Sequence, residues 1–478
     1  MLVDTSVNNS GQYRYVSNLG IQPLSPLDGR YQPVVAELGQ YLSEAGLNRA
    51  RLHVEIEWIL YLAKGDLLAT GAEIDSVFAK QLRDIATNFN LEDVAELAAT
   101  EAQTRHDVKA IEYFIRARLS QLGRADLLEL THFACTSEDI NNLSYAITIR
   151  DAVTKVWLPK AEALVEKVRS LAIEYKDSAM LARTHGQPAT PTTMGKELAV
   201  FVQRLERQLT RVRNSEYLGK FSGATGTWSA HLVAAPTVDW HSESKAFVES
   251  LGLTFNPLTT QIESHDWQAE LYSAITLFNR ILHNLCTDLW TYISMNYFKQ
   301  IPVSGATGSS TMPHKVNPIR FENAESNLEL SNAILDSLSA TLVTSRLQRD
   351  LTDSSSQRNI GLGLGHSLLA LDNATRGLSE IELSYAVLEA DLSENWEVLA
   401  EAIQTVIRAE VAAGRSNISD PYQLLKELTR GKRIGSEDLI SFVNTLDISD
   451  EAKERLILLK PGTYTGIAAG LVELITNK

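Results

Sequence analysis

Apolar residues recur along most of this chain at the three- and four-residue intervals of an α-helix, and alternating strand-like runs are scarce. Three segments in the middle of the chain carry the longest apolar stripes. The stripes are Ala161, Leu164, Val165, Val168, Leu171, Ala172 and Tyr175; then Trp267, Leu271, Ala274, Phe278, Ile281, Leu285, Leu289 and Tyr292; then Leu330, Ile334, Leu338 and Leu342. No proline lies between positions 257 and 302 and no glycine between 252 and 305, so nothing there forces a helix to end. The pattern predicts an all-α fold built on a bundle of long helices.

Shorter periodic segments and more frequent helix breakers flank this middle section. We therefore predict an N-terminal helical domain over residues 1–125, with a flexible start of about twenty residues. A central long-helix domain follows over 126–378, and a smaller C-terminal helical domain over 379–478. A few long helices of one chain cannot cover each other's apolar stripes completely, which favours a homo-oligomer.

Composition narrows the class of protein. Hydrophobic residues make up 44% and charged residues 22% of the 478, as in an ordinary folded protein. The net charge of −15 argues against nucleic acid or an anionic membrane as a partner, and an anionic small substrate would need a local cluster of Arg and Lys. Two distant cysteines, a polar start without a signal peptide and the lack of a long apolar run lead us to expect a soluble, cytoplasmic protein.

The least helix-like stretch of the central third is GATGSSTMPHKVNP at residues 305–318. Its small and hydroxyl residues leave many backbone N–H groups free to bind an anion. A Gly-Ser-Ser stretch is also typical of a plain surface linker. The Met-Pro-His-Lys and Asn-Pro that follow directly are unusual for such a linker.

This stretch resembles the signature Gly-Ser-Ser-x-Met-Pro-x-Lys-x-Asn-Pro of the fumarase, aspartase and argininosuccinate lyase superfamily. Every fixed position of the signature is present, as Gly308, Ser309, Ser310, Met312, Pro313, Lys315, Asn317 and Pro318. The agreement is far more specific than a lone glycine motif. The resemblance implies a helical enzyme that releases fumarate by β-elimination.

Other segments, together with His314, are most similar to the adenylosuccinate lyase family in its long bacterial form. They are SPLDGRY from Ser25, RHDVKA from Arg105, THFACTSEDINN from Thr131, THGQPAT from Thr184, TQIE from Thr260 and SRLQRDLTDS from Ser345. The segments follow family order from about residue 25 to the C-terminal region. The resemblance implies cleavage of two succinylated purine nucleotides, adenylosuccinate and the succinyl adduct of aminoimidazole carboxamide ribotide.

Elimination needs a base for a weakly acidic proton beside a carboxylate, an acid for the departing nitrogen, and donors for the charge that gathers on that carboxylate. The resemblance implies that Ser309 is the base and His185 the acid. The loop N–H groups and Lys315 would stabilise the serine alkoxide. Ser310 is adjacent, so the family pattern alone chooses the first serine. Taken alone, His185 would be interpreted as a structural or capping histidine.

The substrate carries about four negative charges, from a phosphate and two carboxylates, and arginines bind such groups in pairs of hydrogen bonds. The resemblance implies a binding set of charged, hydroxyl and amide side chains. The set is Arg30, Tyr31, Arg105, His106, Asp107, Thr136, Ser137, Gln261, Ser310, Lys315, Asn317, Arg349, Ser354 and Arg358. Arg105 departs from the family, where Asn is frequent, and His132 is left out because a packing role suits it equally well.

No metal-ligand spacing appears and the elimination requires no cofactor, so we predict neither metal nor cofactor. In this superfamily the site segments meet only when three subunits assemble, which implies a tetramer with shared sites. The alternatives are another fumarate-releasing lyase, such as argininosuccinate lyase or fumarase, and a catalytically silent helical scaffold. A scaffold would place no demand on Ser309 or His185.

Overall fold

The computed structural model describes residues 23–65, 67–302, 312, 315–429 and 434–476, and α-helices dominate them. In chain order the helices are α1 Gln32–Leu42, α2 Glu44–Gly65, α3 Ser76–Thr87, α4 Leu91–Thr104, α5 Asp107–Gln121, α6 Ser137–Ala152, α7 Leu158–Glu174, α8 Met194–Arg213, α9 Ser229–Ala234, α10 Trp240–Ser250, α11 Asp266–Ser294, α12 Ile319–Leu342, α13 Thr352–Gln357, α14 Ile360–Ser379, α15 Tyr385–Ser393, α16 Ala400–Ala412, α17 Pro421–Thr429, α18 Ser436–Thr445, α19 Asp450–Ile457 and α20 Ala468–Leu471. Tighter 3₁₀ turns cover Ala125–Leu130, Trp396–Leu399, Pro461–Thr463 and Val472–Ile475, and a π-helical turn covers Val153–Trp157.

The strands are short and occur in pairs. They are β1 Ala179–Thr184, β2 Gln187–Thr193, β3 Leu218–Gly219, β4 Thr254–Phe255, β5 Phe298–Gln300 and β6 Ile381–Leu383. β1 pairs antiparallel with β2 and β5 antiparallel with β6, whereas β3 and β4 run parallel. The predicted all-α fold is confirmed, because these two-stranded pairs only brace the helices. No described helix is long and apolar enough to span a membrane.

The central helices α7, α8, α11, α12 and α14 pack on one another and contain the three predicted stripes. The first stripe is wholly buried in α7, and the second is buried in α11 except for the half-buried Tyr292. Each fully buried Leu or Phe contributes about 1.5–3 kcal/mol of transfer free energy.

The prediction of the third stripe is wrong at its N-terminal end. Leu342 and Leu338 are buried, Ile334 is half-buried and Leu330 is 49% exposed. Steps of four residues advance about 40° around a helix of 3.6 residues per turn, so the stripe spirals away from the bundle. Leu328 and Leu335 complete the buried face of α12 instead.

A chain of buried polar groups ties the bundle helices together. Asn279 of α11 donates to Ser331 and Asn332 of α12, both at 3.1 Å. Ser367 of α14 donates to the Asn279 amide oxygen at 2.9 Å and accepts from the indole of Trp157 at 2.8 Å. Buried polar groups are tolerated when they are paired, and these pairs fix the register of the neighbouring helices.

The strands β1 and β2 form a hairpin between α7 and α8, which we call the His185 hairpin (Ala179–Thr193). Gly195, just beyond it, lies so close to α7 that a Cβ there would be 2.3 Å from the Ala172 carbonyl oxygen. Only glycine permits this approach, which fixes the base of the hairpin against the bundle.

A separate cluster of buried side chains lies near the C-terminus, formed by α16, α18, α19 and adjoining residues. Its members are Leu399, Ile403, Ile407, Leu425, Leu439, Val443, Leu446, Ile448, Ala452 and Leu456. Val472 and Ile475 beyond it return to the main core. The predicted domain boundaries at 125 and 378 stay a prediction.

Candidate active site

The N-terminal end of α6 positions several of the predicted binding residues. Thr136 has extended backbone before the helix, and its N–H donates to the Asp139 carboxylate at 2.8 Å. This bond fixes the first turn, from which Ser137 and Glu138 project. A helix N-terminus with free N–H groups favours an anion.

Arg349 reaches this end of α6 from the segment after α12. Its guanidinium contacts the buried Glu138 carboxylate at 2.9 Å and donates to the Gln261 side chain at 3.4 Å. Gln261 in turn donates to the Ala224 carbonyl at 3.1 Å. Burial is the main cause of a raised pKa at Glu138, which Arg349 and Asn141 oppose. Within the described residues the buried Nε of Arg349 lacks a hydrogen-bond partner.

A second group of charges lies between α2, α5 and the start of α14. Asp107 accepts from the buried Arg51 at 2.8 Å and from Arg358 at 3.2 Å, while Arg358 also pairs with Glu44. Burial acts most strongly on Asp107 and opposes ionisation, but Arg51, the Val108 N–H and Arg358 outweigh it and lower the pKa of the carboxyl. Asp107 is therefore an anion at neutral pH.

One buried amide joins the two groups. Asn141 accepts from Arg51 at 2.9 Å and donates to Glu138 at 2.8 Å. We call the connected set the α6 network. Its members are Glu44, Arg51, Asp107, Glu138, Asn141, Gln261, Arg349 and Arg358.

One further predicted residue, Ser354, lies close to the network in the chain. Ser354 lies on α13 beside Asp353, whose carboxylate is 3.4 Å from the buried His265 ring. Gln268 links this histidine to Gln357, the residue before Arg358. Ser354 therefore lies on the helix, α13, that leads directly into Arg358 of the network.

Arg30 and Tyr31 precede α1. The Arg30 guanidinium lies 5.7 Å from the centre of the Tyr31 ring, and the Tyr31 hydroxyl accepts from Asn323 of α12 at 3.5 Å. A cavity of about 330 Å³ lies between α1, α6 and α14, with Arg358 in its lining. This cavity connects the segment of Arg30 with the network.

His106 and Arg105 are positioned by the junction between α4 and α5. Arg105 has a left-handed backbone with φ of 53°. The His106 ring accepts from the Lys109 N–H at 3.3 Å, so it caps α5, and its side chain is 52% exposed. Capping fixes the ring beside Asp107 and leaves its outer face open.

His185 lies elsewhere. It forms the two-residue turn of its hairpin with Gly186, and both have positive φ, 52° and 75°, as such turns require. Within the described residues its ring makes no hydrogen bond, and no hydrogen bond or ion pair links the hairpin to the α6 network. The strands that flank this turn were not predicted.

We call residues 305–318, which contain Ser309 and Ser310, the serine loop, and the structure describes only part of it. Ser309 and Ser310 lie outside the described residues, as does His314. Lys315 is exposed and its N–H donates to the Met312 carbonyl at 3.0 Å, whereas Asn317 is half-buried just before α12. The roles predicted for these residues stay predictions.

Sequence reasoning missed Arg51, Glu138, Asn141, His265 and Asp353. Glu138 and Asn141 stand inside a quoted family segment, so their position was a usable signal. Arg51 offered none, because its role depends on α2 packing against α6. The described residues contain no group of three His, Cys, Asp or Glu side chains placed to hold a metal ion.

Comparison with known proteins agrees with this arrangement. A lyase family model matches residues 29–330, and a model of the adenylosuccinate lyase C-terminal region matches residues 345–465. The adenylosuccinate lyase of Haemophilus influenzae is 48% identical over 95% of this chain and 98% of its own length. That of Escherichia coli strain K12 is 46% identical over 94% of this chain and 98% of its own.

Solved structures support the fold alone. A fumarate lyase from Mesorhizobium superposes with a TM-score of 0.72 at 17% identity, covering 93% of this chain and 98% of that one. A 3-carboxy-cis,cis-muconate lactonizing enzyme from Pseudomonas putida gives a TM-score of 0.70 at 19% identity, covering 92% and 96%. With identity near half over almost the whole chain and both family models matched, this chain belongs to the adenylosuccinate lyase family.

Proposed function

We propose that this chain is an adenylosuccinate lyase of purine nucleotide synthesis. It splits adenylosuccinate into AMP and fumarate, and the succinyl adduct of aminoimidazole carboxamide ribotide into the free carboxamide and fumarate. The near full-length identity to adenylosuccinate lyases carries the proposal. The α6 network supports it because it brings Arg51, Arg349 and Arg358 into one connected set, in which the carboxylates of Glu44, Asp107 and Glu138 balance their charge and hold them in place.

Arg349, Arg358 and Ser354 bind the phosphate in this proposal, together with Arg30 and Tyr31. Arg349 has a spare buried donor, and an arginine fork suits phosphate oxygens. Glu138 and Asp107 hold the two guanidinium groups in place before substrate arrives. Preorganised charges of this kind cost little rearrangement on binding.

The remaining substrate contacts of the proposal come from seven side chains: Thr136, Ser137, His106, Gln261, Lys315, Asn317 and Ser310. For Arg105 the observation is its left-handed backbone and not a side-chain contact, so it has the least support as a binding residue. Ser309 removes the proton from the succinyl carbon beside a carboxylate. The C–N bond then breaks, its electron pair leaves with nitrogen, and His185 protonates that nitrogen. Lys315 and the loop N–H groups stabilise the negative charge.

We further propose that the sites are shared in a homotetramer. The support is the exposed position of His185, away from the α6 network, and several exposed apolar side chains on the central helices. These are Leu277 and Trp290 of α11 and Ile319 and Leu330 of α12, which are 37–60% exposed in the single chain. Two free thiols, Cys135 and Cys286, support a reducing, cytoplasmic setting.

The direct test is release of fumarate and AMP from adenylosuccinate by the purified chain. Ser309→Ala and His185→Ala should each lower kcat by about 10²- to 10⁴-fold and leave helix content and oligomeric state intact. Fumarate released from argininosuccinate but not from adenylosuccinate would overturn the assignment. Wild-type kcat in either variant would remove that residue from the mechanism.

Mixing the two inactive variants tests the sharing of sites. If a site takes His185 from one chain and Ser309 from another, tetramers reassembled from equal amounts of Ser309→Ala and His185→Ala chains contain intact sites. Random assembly predicts recovery of roughly a quarter of wild-type activity. If no activity is recovered, the shared site is contradicted. The reaction itself is tested separately, by the release of fumarate and AMP.

A further inference from the structure

We propose that Asp391 and Glu401 are positioning residues for His185, holding one strand each of the His185 hairpin so that the turn is presented at a fixed place. The inference rests on the proposed function in one respect, the use of His185 as the general acid. The observations that carry it are the contacts of the two carboxylates with Arg183 and Thr190.

The hairpin changes from buried to exposed along its length. Met180 and Leu181 on β1 and residues 191–193 on β2 are buried, whereas residues 183–188 around the turn are exposed. A two-stranded hairpin without a covering layer is marginally stable in water. The outer half therefore depends on contacts from outside the hairpin to keep one position.

Asp391 provides the first contact. This residue of α15 accepts from the Arg183 guanidinium at 2.6 Å, and Arg183 stands two residues before His185. The same carboxylate accepts from the hydroxyl of Tyr297, a residue that is 1% exposed and directly precedes β5. Burial first, then the bond to Asp391, raises the pKa of the Tyr297 hydroxyl, so it stays a donor. Asp391 is thus fixed on the protein side before it binds the hairpin.

Glu401 provides the second contact, on the opposite strand. The residue lies in α16 and accepts from the Thr190 hydroxyl at 2.6 Å and from the Tyr464 hydroxyl at 3.3 Å. Burial and Glu401 together raise the pKa of Tyr464, so this hydroxyl also stays a donor. Two C-terminal helices thereby hold both strands of the hairpin.

The two contacts hold opposite strands of the hairpin, close to its turn. Arg183 pairs with Pro188 and Thr184 with Gln187 in the strand register, so each anchor is at most five residues from His185. Exposed charge pairs contribute little to overall stability. Their effect is expected on position, because a displacement of about 1 Å at a reacting group lowers the rate by roughly 10²-fold.

The first experiment compares steady-state kinetics on adenylosuccinate. Asp391→Asn and Glu401→Gln should each lower kcat about tenfold, and the double variant more, with KM within about twofold of wild type because substrate binds at the α6 network. Glu389→Gln is the matched control, since Glu389 is an exposed carboxylate of the same helix α15 and makes no hydrogen bond or ion pair with the hairpin within the described residues. An unchanged kcat in the double variant, or an equal fall in Glu389→Gln, would overturn the proposal.

The second experiment uses mixed oligomers to separate positioning from general damage. Asp391→Asn/Glu401→Gln is placed either on the Ser309→Ala chain, which supplies His185 to the intact sites, or on the His185→Ala chain, which supplies Ser309. Activity should fall only in the first mixture. Equal falls in both mixtures would show a general structural defect and overturn the proposal. If the parent variants recover no activity on mixing, the shared site is wrong, and the kinetic comparison of the pure variants decides the role of the anchors.

Discussion

The α6 network and the His185 hairpin both carry residues of the proposed active site, yet they are stabilised in opposite ways. In the network the charges are paired with one another across α2, α5, α6 and the segment after α12, and those of Arg51 and Glu138 are buried. The tip of the hairpin is exposed, and within the described residues His185 has no hydrogen-bond partner. One region is organised within the chain, whereas the other presents its functional group outward.

This difference indicates that the substrate-binding region and the general acid are held in position by different kinds of contact. Binding residues need fixed charges, which burial and pairing provide at a cost in desolvation. An acid that completes a site on another copy must protrude, so its position has to come from anchors further down the hairpin, such as Asp391 and Glu401. Substitutions in one region should therefore leave the structure of the other region unchanged.

The largest effect is expected from the ion pair beneath the network. Lys220 and Asp139 are both 0% exposed and 2.7 Å apart, and Asp139 also accepts from the N–H groups of Thr136, Ser222 and Gly223. Lys220→Met leaves a buried carboxylate without its counter-charge and should lower the free energy of unfolding by about 3–5 kcal/mol. Urea denaturation followed by tryptophan fluorescence measures it, since the Trp228 indole bonds to the neighbouring Phe221 carbonyl.

An exposed pair provides the control for this prediction. Lys155 and Asp151 are also 2.7 Å apart, but Lys155 is 58% exposed. Lys155→Met should cost at most about 1 kcal/mol, because water replaces the lost partner. Equal losses at the two positions would contradict the importance of burial.

The next effect concerns Arg349 and tests whether the network binds substrate. Arg349→Met removes a charged donor from the proposed phosphate site and should raise KM for adenylosuccinate about ten- to hundredfold with a smaller change in kcat. Arg346→Met is the matched control, since Arg346 is 82% exposed and pairs only with Asp350 in the described contacts. A similar KM in both variants would place the phosphate elsewhere.

The sequence predicted the parts of this molecule that depend on local periodicity. The long helices α7, α11 and α12 follow directly from spacing of three and four, and the error at Leu330 arose because a strict spacing of four drifts around the helix. The family resemblance indicated Asp107, Arg349 and Arg358 as binding residues, and the structure brings them into one network.

What the sequence could not provide were contacts between distant segments. Arg51 bonds to Asn141 ninety positions away, and Asp391 meets Arg183 across 208 positions. No local pattern marks either pair, because both depend on how helices pack. The sequence allows the prediction that a buried arginine needs a hydrogen-bond acceptor, but it does not show which residue provides that acceptor.

The smallest effect is a pH dependence of stability that arises from His132. The His132 ring lies 2.6 Å from the fully buried Glu55 carboxylate and 3.8 Å from Glu112. Burial acts most strongly and opposes protonation, but the bond and charge of Glu55, with Glu112, outweigh it and raise the pKa of His132.

A raised pKa means that the folded state binds the proton more tightly than the unfolded state does. The stability from His132 is therefore fully present below its unfolded pKa of about 6.5 and is lost as pH rises through the higher folded value. The difference in unfolding free energy between wild type and His132→Gln should shrink from pH 6 towards pH 9, as measured by urea denaturation.

His231 gives the opposite case and completes the test. It is 0% exposed, and burial lowers its pKa, so the folded state disfavours its proton. The wild type should therefore gain stability relative to His231→Leu as pH rises through the range between the lowered folded value and about 6.5. Equal slopes for the two variants would show that the pairing with Glu55 does not distinguish these histidines. Opposite slopes would show that the half-buried His132 is stabilised as a cation by the Glu55 carboxylate, whereas the fully buried His231, which has no such partner in the described residues, is not.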